Sequence, residues 1–123
     1  MRVKPGRFSA SAVGWLSEVE ASTVLAVTVS PSGCVNFLIW SNFQESLAIF
    51  PAKEFDVLDG SMSSRWVFCI NCQGGVDLAP AAWQADGFWE RYHDGDPLAE
   101  SVFIEEMGLI LSECAQTQGD IDS

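Results

Sequence analysis

Thr23-Val24-Leu25-Ala26-Val27-Thr28-Val29-Ser30-Pro31-Ser32-Gly33-Cys34-Val35-Asn36-Phe37-Leu38-Ile39-Trp40-Ser41 is the stretch that decides the fold. Its first arm, Thr23 to Val29, is rich in β-branched residues, which suit a pleated surface. Ser30-Pro31-Ser32-Gly33 is a turn signal, and Cys34 to Ser41 is again extended and aromatic, so the pair reads as a β-hairpin. In the second arm Val35, Phe37 and Ile39 fall on one face and Asn36, Leu38 and Trp40 on the other. Both faces are thus covered in part, which predicts a sheet with helices on at least one side.

Working outward from the hairpin, two further strands are expected at Glu45 to Phe50 and Arg65 to Asn71, with a weaker one at Val76 to Leu78. Trp66, Phe68 and Ile70 alternate with Arg65, Val67 and Cys69, which groups three large apolar side chains on one face. Gln73-Gly74-Gly75 supplies the backbone freedom for a tight turn into Val76. Pro51 to Ser64 reads as a long connection carrying Glu54, Asp56 and Asp59, with a short helix at Ala52 to Phe55. Upstream, Phe8, Ala12, Trp15, Leu16 and Val19 recur at near-helical spacing, so Ser9 to Glu20 is expected to be an amphipathic helix capped by Ser9 or Ser11. Downstream, Pro80 to Trp83 opens like a helical turn, Gly87 interrupts, and Phe88 to His93 makes another turn closed by Asp94-Gly95.

The last helix has the clearest signature. Asp96 is placed as N-cap with Pro97 at the first helical position, and Ala99, Val102, Phe103, Met107, Ile110 and Cys114 form one apolar stripe. The whole predicts an α+β fold in a single domain over residues 1–116. It comprises an N-terminal helix, a mostly antiparallel sheet of four or five strands and C-terminal helices packed on one face, followed by a disordered acidic tail at 117–123. One core of ordinary size fits a chain of 123 residues that is 48% hydrophobic.

Charge is distributed unevenly. Of the 17 acidic residues, three (Glu18, Glu20 and Glu45) precede Glu54, whereas four of the six bases do. From Glu54 onward fourteen acids face only Arg65 and Arg91. Such a field attracts cationic partners and repels nucleic acid and anionic lipid, so direct nucleic-acid or membrane binding is not expected. No stretch approaches the ~20 apolar residues that span a bilayer. Met1-Arg2-Val3-Lys4-Pro5-Gly6-Arg7 has the basic start of a signal peptide, but Ser9, Ser11, Gly14 and Ser17 interrupt the apolar run that should follow, so a cytoplasmic location is expected. The four cysteines are then expected to be reduced thiols.

Catalytic and metal signals are weak. Cys69-Ile70-Asn71-Cys72 has no second pair to complete a tetrahedral zinc site, and Cys34, Cys114 or His93 would have to contribute from afar. His93, the single histidine, reads as a helix-end residue near the negative pole of the dipole. Asp94-Gly95-Asp96 resembles part of a calcium loop, yet Pro97 and the apolar run after it remove the remaining ligands. Neither a metal nor a cofactor is expected, and the chain reads as a non-enzyme. A small Cys/His regulator or enzyme using Cys69, Cys72 and His93 remains the alternative, as does an adaptor that homodimerises through a sheet edge or the last helix.

Aromatic residues are the remaining functional signal. Trp83, Phe88, Trp89 and Tyr92 crowd into the same stretch as Asp86, Glu90, Asp94 and Asp96. Rings supply desolvated contacts and carboxylates supply steering, the combination that holds a basic protein. Packing of the last helix onto the sheet is the competing explanation, stronger for Trp83 and Phe88 than for Trp89 and Tyr92. The expected partner-binding set is Asp56, Asp59, Glu90, Asp94, Asp96, Glu100, Glu105 and Glu106 for negative potential, with Trp89 and Tyr92 as anchors.

Phe55-Asp56-Val57, Ser64-Arg65-Trp66-Val67, Pro80 with Trp83, then Gly87-Phe88-Trp89-Glu90 and an acidic helix together resemble small bacterial immunity proteins of contact-dependent and related polymorphic toxin systems. The resemblance covers roughly the C-terminal seventy residues, and such families are diverse in fold. It implies a cytoplasmic inhibitor that binds a cognate toxin domain, often a basic nuclease, and blocks it without catalysis.

Overall fold

The structure, a computed structural model, describes residues 1–6, 14–16, 21–71 and 73–122, with side chains as far as Glu113. Among the described residues, eight strands form two antiparallel sheets. β1 (Arg2–Pro5), β2 (Ser22–Thr23) and β6 (Phe55–Asp59) make a small sheet in the order β2-β1-β6. β3 (Ala26–Val29), β4 (Val35–Ser41), β5 (Ser46–Pro51), β7 (Trp66–Ile70) and β8 (Val76–Pro80) make the larger one, ordered β5-β4-β3-β8-β7. α1 (Phe88–His93) and α2 (Pro97–Asp122) follow, so the class is α+β.

The alternation along β4 organises the layers. Phe37 and Ile39 join Val3, Val27, Phe50 and Phe55 in a core between the two sheets, with edge-to-face ring pairs Phe37–Phe55 and Phe50–Phe55 at 6.0 and 5.8 Å. Leu38 and Trp40 point the other way, to a second core where Ala26 and Ala79 meet Trp83, Phe88, Ala99, Phe103 and Ile110. The larger sheet is therefore covered on one face by the helices and on the other by the small sheet. Each fully buried large apolar side chain contributes about 1.5–3 kcal/mol by leaving water. Trp66 touches both cores, and its indole N–H donates to the Leu25 carbonyl at 2.8 Å.

The expected hairpin forms between β3 and β4, with Val29 opposite Val35 and Val27 opposite Phe37, but its first arm begins at Ala26, because Thr23 pairs with Arg2 in the small sheet. β5, β7 and β8 fall where the sequence put strands, and the short helix expected at Ala52 to Phe55 is a 3-10 turn at Ala52–Glu54. The connection from Pro51 to Ser64, however, is not a loop, because Phe55–Asp59 is strand β6, paired with β1. Its partner β1 was not expected either. Arg2-Val3-Lys4-Pro5 alternates half-buried and buried, a strand pattern masked by its likeness to the basic start of a signal peptide. The sheet expected to be single is consequently two.

Most of the helix expected over Ser9 to Glu20 lies outside the described residues; Gly14–Leu16, the described part, is a turn, with Gly14 at φ 79°. The turn is held by the β4–β5 connection. The Ser41 hydroxyl donates to the Trp15 carbonyl at 2.5 Å and the Gln44 amide to the Gly14 carbonyl at 2.9 Å. At the other end of the chain, α2 runs to Asp122 through the segment read as a disordered tail. Ala115, Gln116 and Gln118 are good helix formers and no proline intervenes, which favours continuing the helix.

Candidate functional site

The corner between α1 and α2 holds most of the expected binding residues, and its geometry is fixed in two residues. Gly95, at φ 83°, ends α1 in a Schellman motif, with the Asp96 N–H donating to the Arg91 carbonyl at 3.0 Å and the Gly95 N–H to the Tyr92 carbonyl at 3.2 Å. Asp96 then starts the next helix as expected: its carboxylate accepts the Leu98 N–H at 3.0 Å and its carbonyl accepts the Glu100 N–H at 3.0 Å. Arg91 leans back over the corner, 4.0 Å from the Asp96 carboxylate and donating to the Asp86 carbonyl at 3.3 Å. Glu90, Asp94 and Glu100 are all exposed around this rigid turn.

Several of the expected acids have structural partners. Glu106 is almost covered and forms a bidentate pair with Arg65, at 2.7 and 2.9 Å, joining α2 to the segment that leads into β7. Two turns further, Glu113 accepts hydrogen bonds from the Ser64 hydroxyl at 2.5 Å and the Ser64 N–H at 3.0 Å. Burial pushes the Glu113 carboxyl up, but the bonds from Ser64 and Ser63 together outweigh it and hold the group below its ordinary value. Asp59 closes a turn by accepting the Ser61 N–H at 2.9 Å, and this bond with that from the Ser61 side chain lowers its pKa. Asp56 is exposed on β6, in the sheet on the far side of the molecule from the helices.

Trp89 and Tyr92 are not free anchors. Tyr92 lies 4.8 Å from Phe103 and 5.7 Å from Trp89, and Trp89 lies 5.7 Å from Trp83, all measured between ring centroids. Both side chains are half-buried and pack against the core beneath the helices. The six-residue α1 has too few turns to turn them both outward while burying Phe88. Burial, then the nearby Glu100 charge, pushes the Tyr92 phenol up. The apolar groups that do face solvent beside the acids are Leu98, 77% exposed, and Ile104, 61% exposed. Leu98 shares a helix line with Glu105 two turns on, and Ile104 follows Glu100 by one turn. Their placement opposite the Ala99–Phe103–Ile110 stripe was the sequence signal that could have marked them.

Cys34 and Cys69 are exposed free thiols, and Cys72 lies outside the described residues. His93 is exposed at the end of α1 beside Trp89 and Tyr92. Among the described residues, no three His, Cys, Asp or Glu side chains are grouped to hold a metal ion, and no helix is long and apolar enough to cross a membrane. A cavity of ≈ 370 Å³ opens between α2 and the β4–β5 turn, lined by Trp15, Leu16, Trp40, Phe43, Met107 and Leu111 among others, and none of the expected site residues lines it. No family model, curated protein or solved structure matches the chain.

Proposed function

We propose that this protein is a non-enzymatic acidic inhibitor of the immunity type, which binds and neutralises a basic cognate toxin domain, a nuclease being the foremost candidate, in the cytoplasm. One observation carries the reading. Both arginines that follow Glu54 are engaged by carboxylates of the same chain, Arg65 by Glu106 and Arg91 by Asp96, while Asp86, Glu90, Asp94, Glu100 and Glu105 stay exposed with no ion pair among the described residues. The negative potential around the α1–α2 corner is therefore uncompensated where solvent meets it. A cationic protein entering that field would be steered by the carboxylates and anchored on Leu98 and Ile104, which take the role first assigned to Trp89 and Tyr92. The resemblance to immunity proteins supplies the kind of partner, and the fixed turn at Gly95–Asp96 supplies preorganisation.

The test is co-expression in a bacterial host with basic nuclease toxin domains of polymorphic toxin systems. Growth should be protected by the wild-type chain and lost with the triple variant E90K/D94K/E100K, whose substitutions sit on exposed positions that leave the core intact. Protection undiminished by the triple variant would sink the electrostatic reading, and no protection by the wild type would sink the inhibitor reading.

A further inference from the structure

Among the described residues, strand β7 is the outer edge of the larger sheet and is open beyond Trp66, whose N–H donates to the Ser63 carbonyl at 3.2 Å. The Asn71 N–H donates to the Gly75 carbonyl at 2.9 Å, so residues 67, 69 and 71 turn their backbone groups toward β8, and Phe68 and Ile70 turn theirs outward. Their side chains are equally unprotected, Phe68 at 63% and Ile70 at 65% exposed. The cross-strand register extends this surface inward: Ile70, Val76, Val29 and Val35 form one aliphatic row, and Phe68, Leu78, Val27 and Phe37 form the next. The small sheet buries only the far end of the second row, at Val27 and Phe37. Sheet edges in solitary proteins are guarded by charges, prolines or bulges. β7 carries no charge and no proline, and pairs with β8 without a break in register.

We propose that β7 pairs antiparallel with β7 of a second copy across a two-fold axis, joining the two larger sheets into one. Charge identifies the occupant. The chain has a net charge of −11, and between Asp59 and Asp77 there is no acid and a single base, Arg65. Like-charged copies can meet along this edge with the least repulsion, whereas a cationic toxin is drawn to the carboxylates elsewhere. Of the carboxylates near the strand, Asp77 is half-buried on β8 opposite Cys69 and accepts a bond from the Asn71 amide at 3.4 Å, while Glu106 is neutralised by Arg65 and Glu113 is held by Ser63 and Ser64 just before β7. Outward-facing residues must pair with outward-facing residues, and overlap of the whole strand requires Phe68 on the axis. Phe68 then faces its own counterpart, Trp66 faces Ile70 of the second copy, and Val67 faces Cys69 of the second copy in a close, non-hydrogen-bonded pair.

The register can be trapped. V67C puts a thiol opposite Cys69 at a Cα separation of about 4.5 Å, within disulfide reach. Mild oxidation of the full chain should link V67C covalently into dimers, the double variant V67C/C69S should not link, and the wild type should show a reversible dimer by sedimentation. F68K places two like charges on the axis and should weaken association by about tenfold or more without affecting folding, because Phe68 is exposed. A wild type that stays monomeric at every concentration, a dimer indifferent to F68K, or V67C that links no better than the wild type would each overturn the proposal. Loss of toxin protection by F68K with self-association unchanged would assign the edge to the toxin instead. The protection assay reads the α1–α2 corner independently, so either proposal can fail alone.

Discussion

Phe103→Ala is the sharpest probe of how the helices are held on the sheet. Phe103 is 1% exposed, stacked at 5.0 Å on Trp83, and in ring contact with Tyr92 at 4.8 Å and Trp40 at 6.1 Å. Losing the ring forfeits about 2 kcal/mol of transfer free energy and opens a void of up to about 100 Å³, which at ~24 cal/mol per Å³ adds ~2.4 kcal/mol. The expected loss is therefore about 4 kcal/mol, a large fraction of the ~5–15 kcal/mol that stabilises a typical domain. Urea unfolding followed by tryptophan fluorescence would register it as a fall in midpoint of about 2 M with little change in slope. Leu98→Ala, at a position 77% exposed, should stay within about 0.5 kcal/mol. A Phe103→Ala loss below about 1 kcal/mol would refute the docking of α2 through this residue.

Other outcomes follow from single contacts. Gly75→Ala should destabilise by about 1–3 kcal/mol in the same unfolding assay, because a Cβ there would sit 2.5 Å from the Val29 carbonyl oxygen, a backbone atom that cannot rotate away. Trp83 is buried with its indole N–H unpaired among the described residues. Trp83→Phe should thus cost less than its loss of volume implies, since it also removes an unsatisfied donor, and a thermal melt would show whether it does. Glu113 has a native pKa below its ordinary value of 4.5, so the unfolded chain binds the proton first. Its contribution is present above that value and is lost as pH falls through the lower native one, and Ser64→Ala should flatten this part of an acid-melting profile. An unchanged profile would mean that the Ser64 bonds do not hold the carboxylate.

The parts of the fold legible in the sequence were those with local signatures. The β3–β4 hairpin announced itself through β-branched runs around Pro31 and Gly33, and α2 through Asp96, Pro97 and a 3.6-residue apolar stripe. The small sheet escaped because its strands are short and borrow their meaning from distant partners: Arg2–Pro5 is a strand only because Phe55–Asp59, fifty residues on, pairs with it. Among the site residues, the cap role of Asp96 was visible locally, whereas the bond of Glu106 to Arg65 depends on a tertiary contact with the segment before β7. The half-burial of Trp89 and Tyr92 escaped for the same reason. Their neighbouring acids suggested a surface, but Phe103, eleven residues beyond Tyr92, draws both rings inward.

The acidic corner itself is tested most directly by titrating the purified cognate toxin domain with wild-type chain and with E90K/D94K/E100K at several salt concentrations. Affinity for the wild type should fall steeply as salt rises, and the triple variant should bind at least tenfold more weakly and with a shallower salt dependence. Equal affinities for the two chains, insensitive to salt, would contradict binding through the carboxylates of the α1–α2 corner.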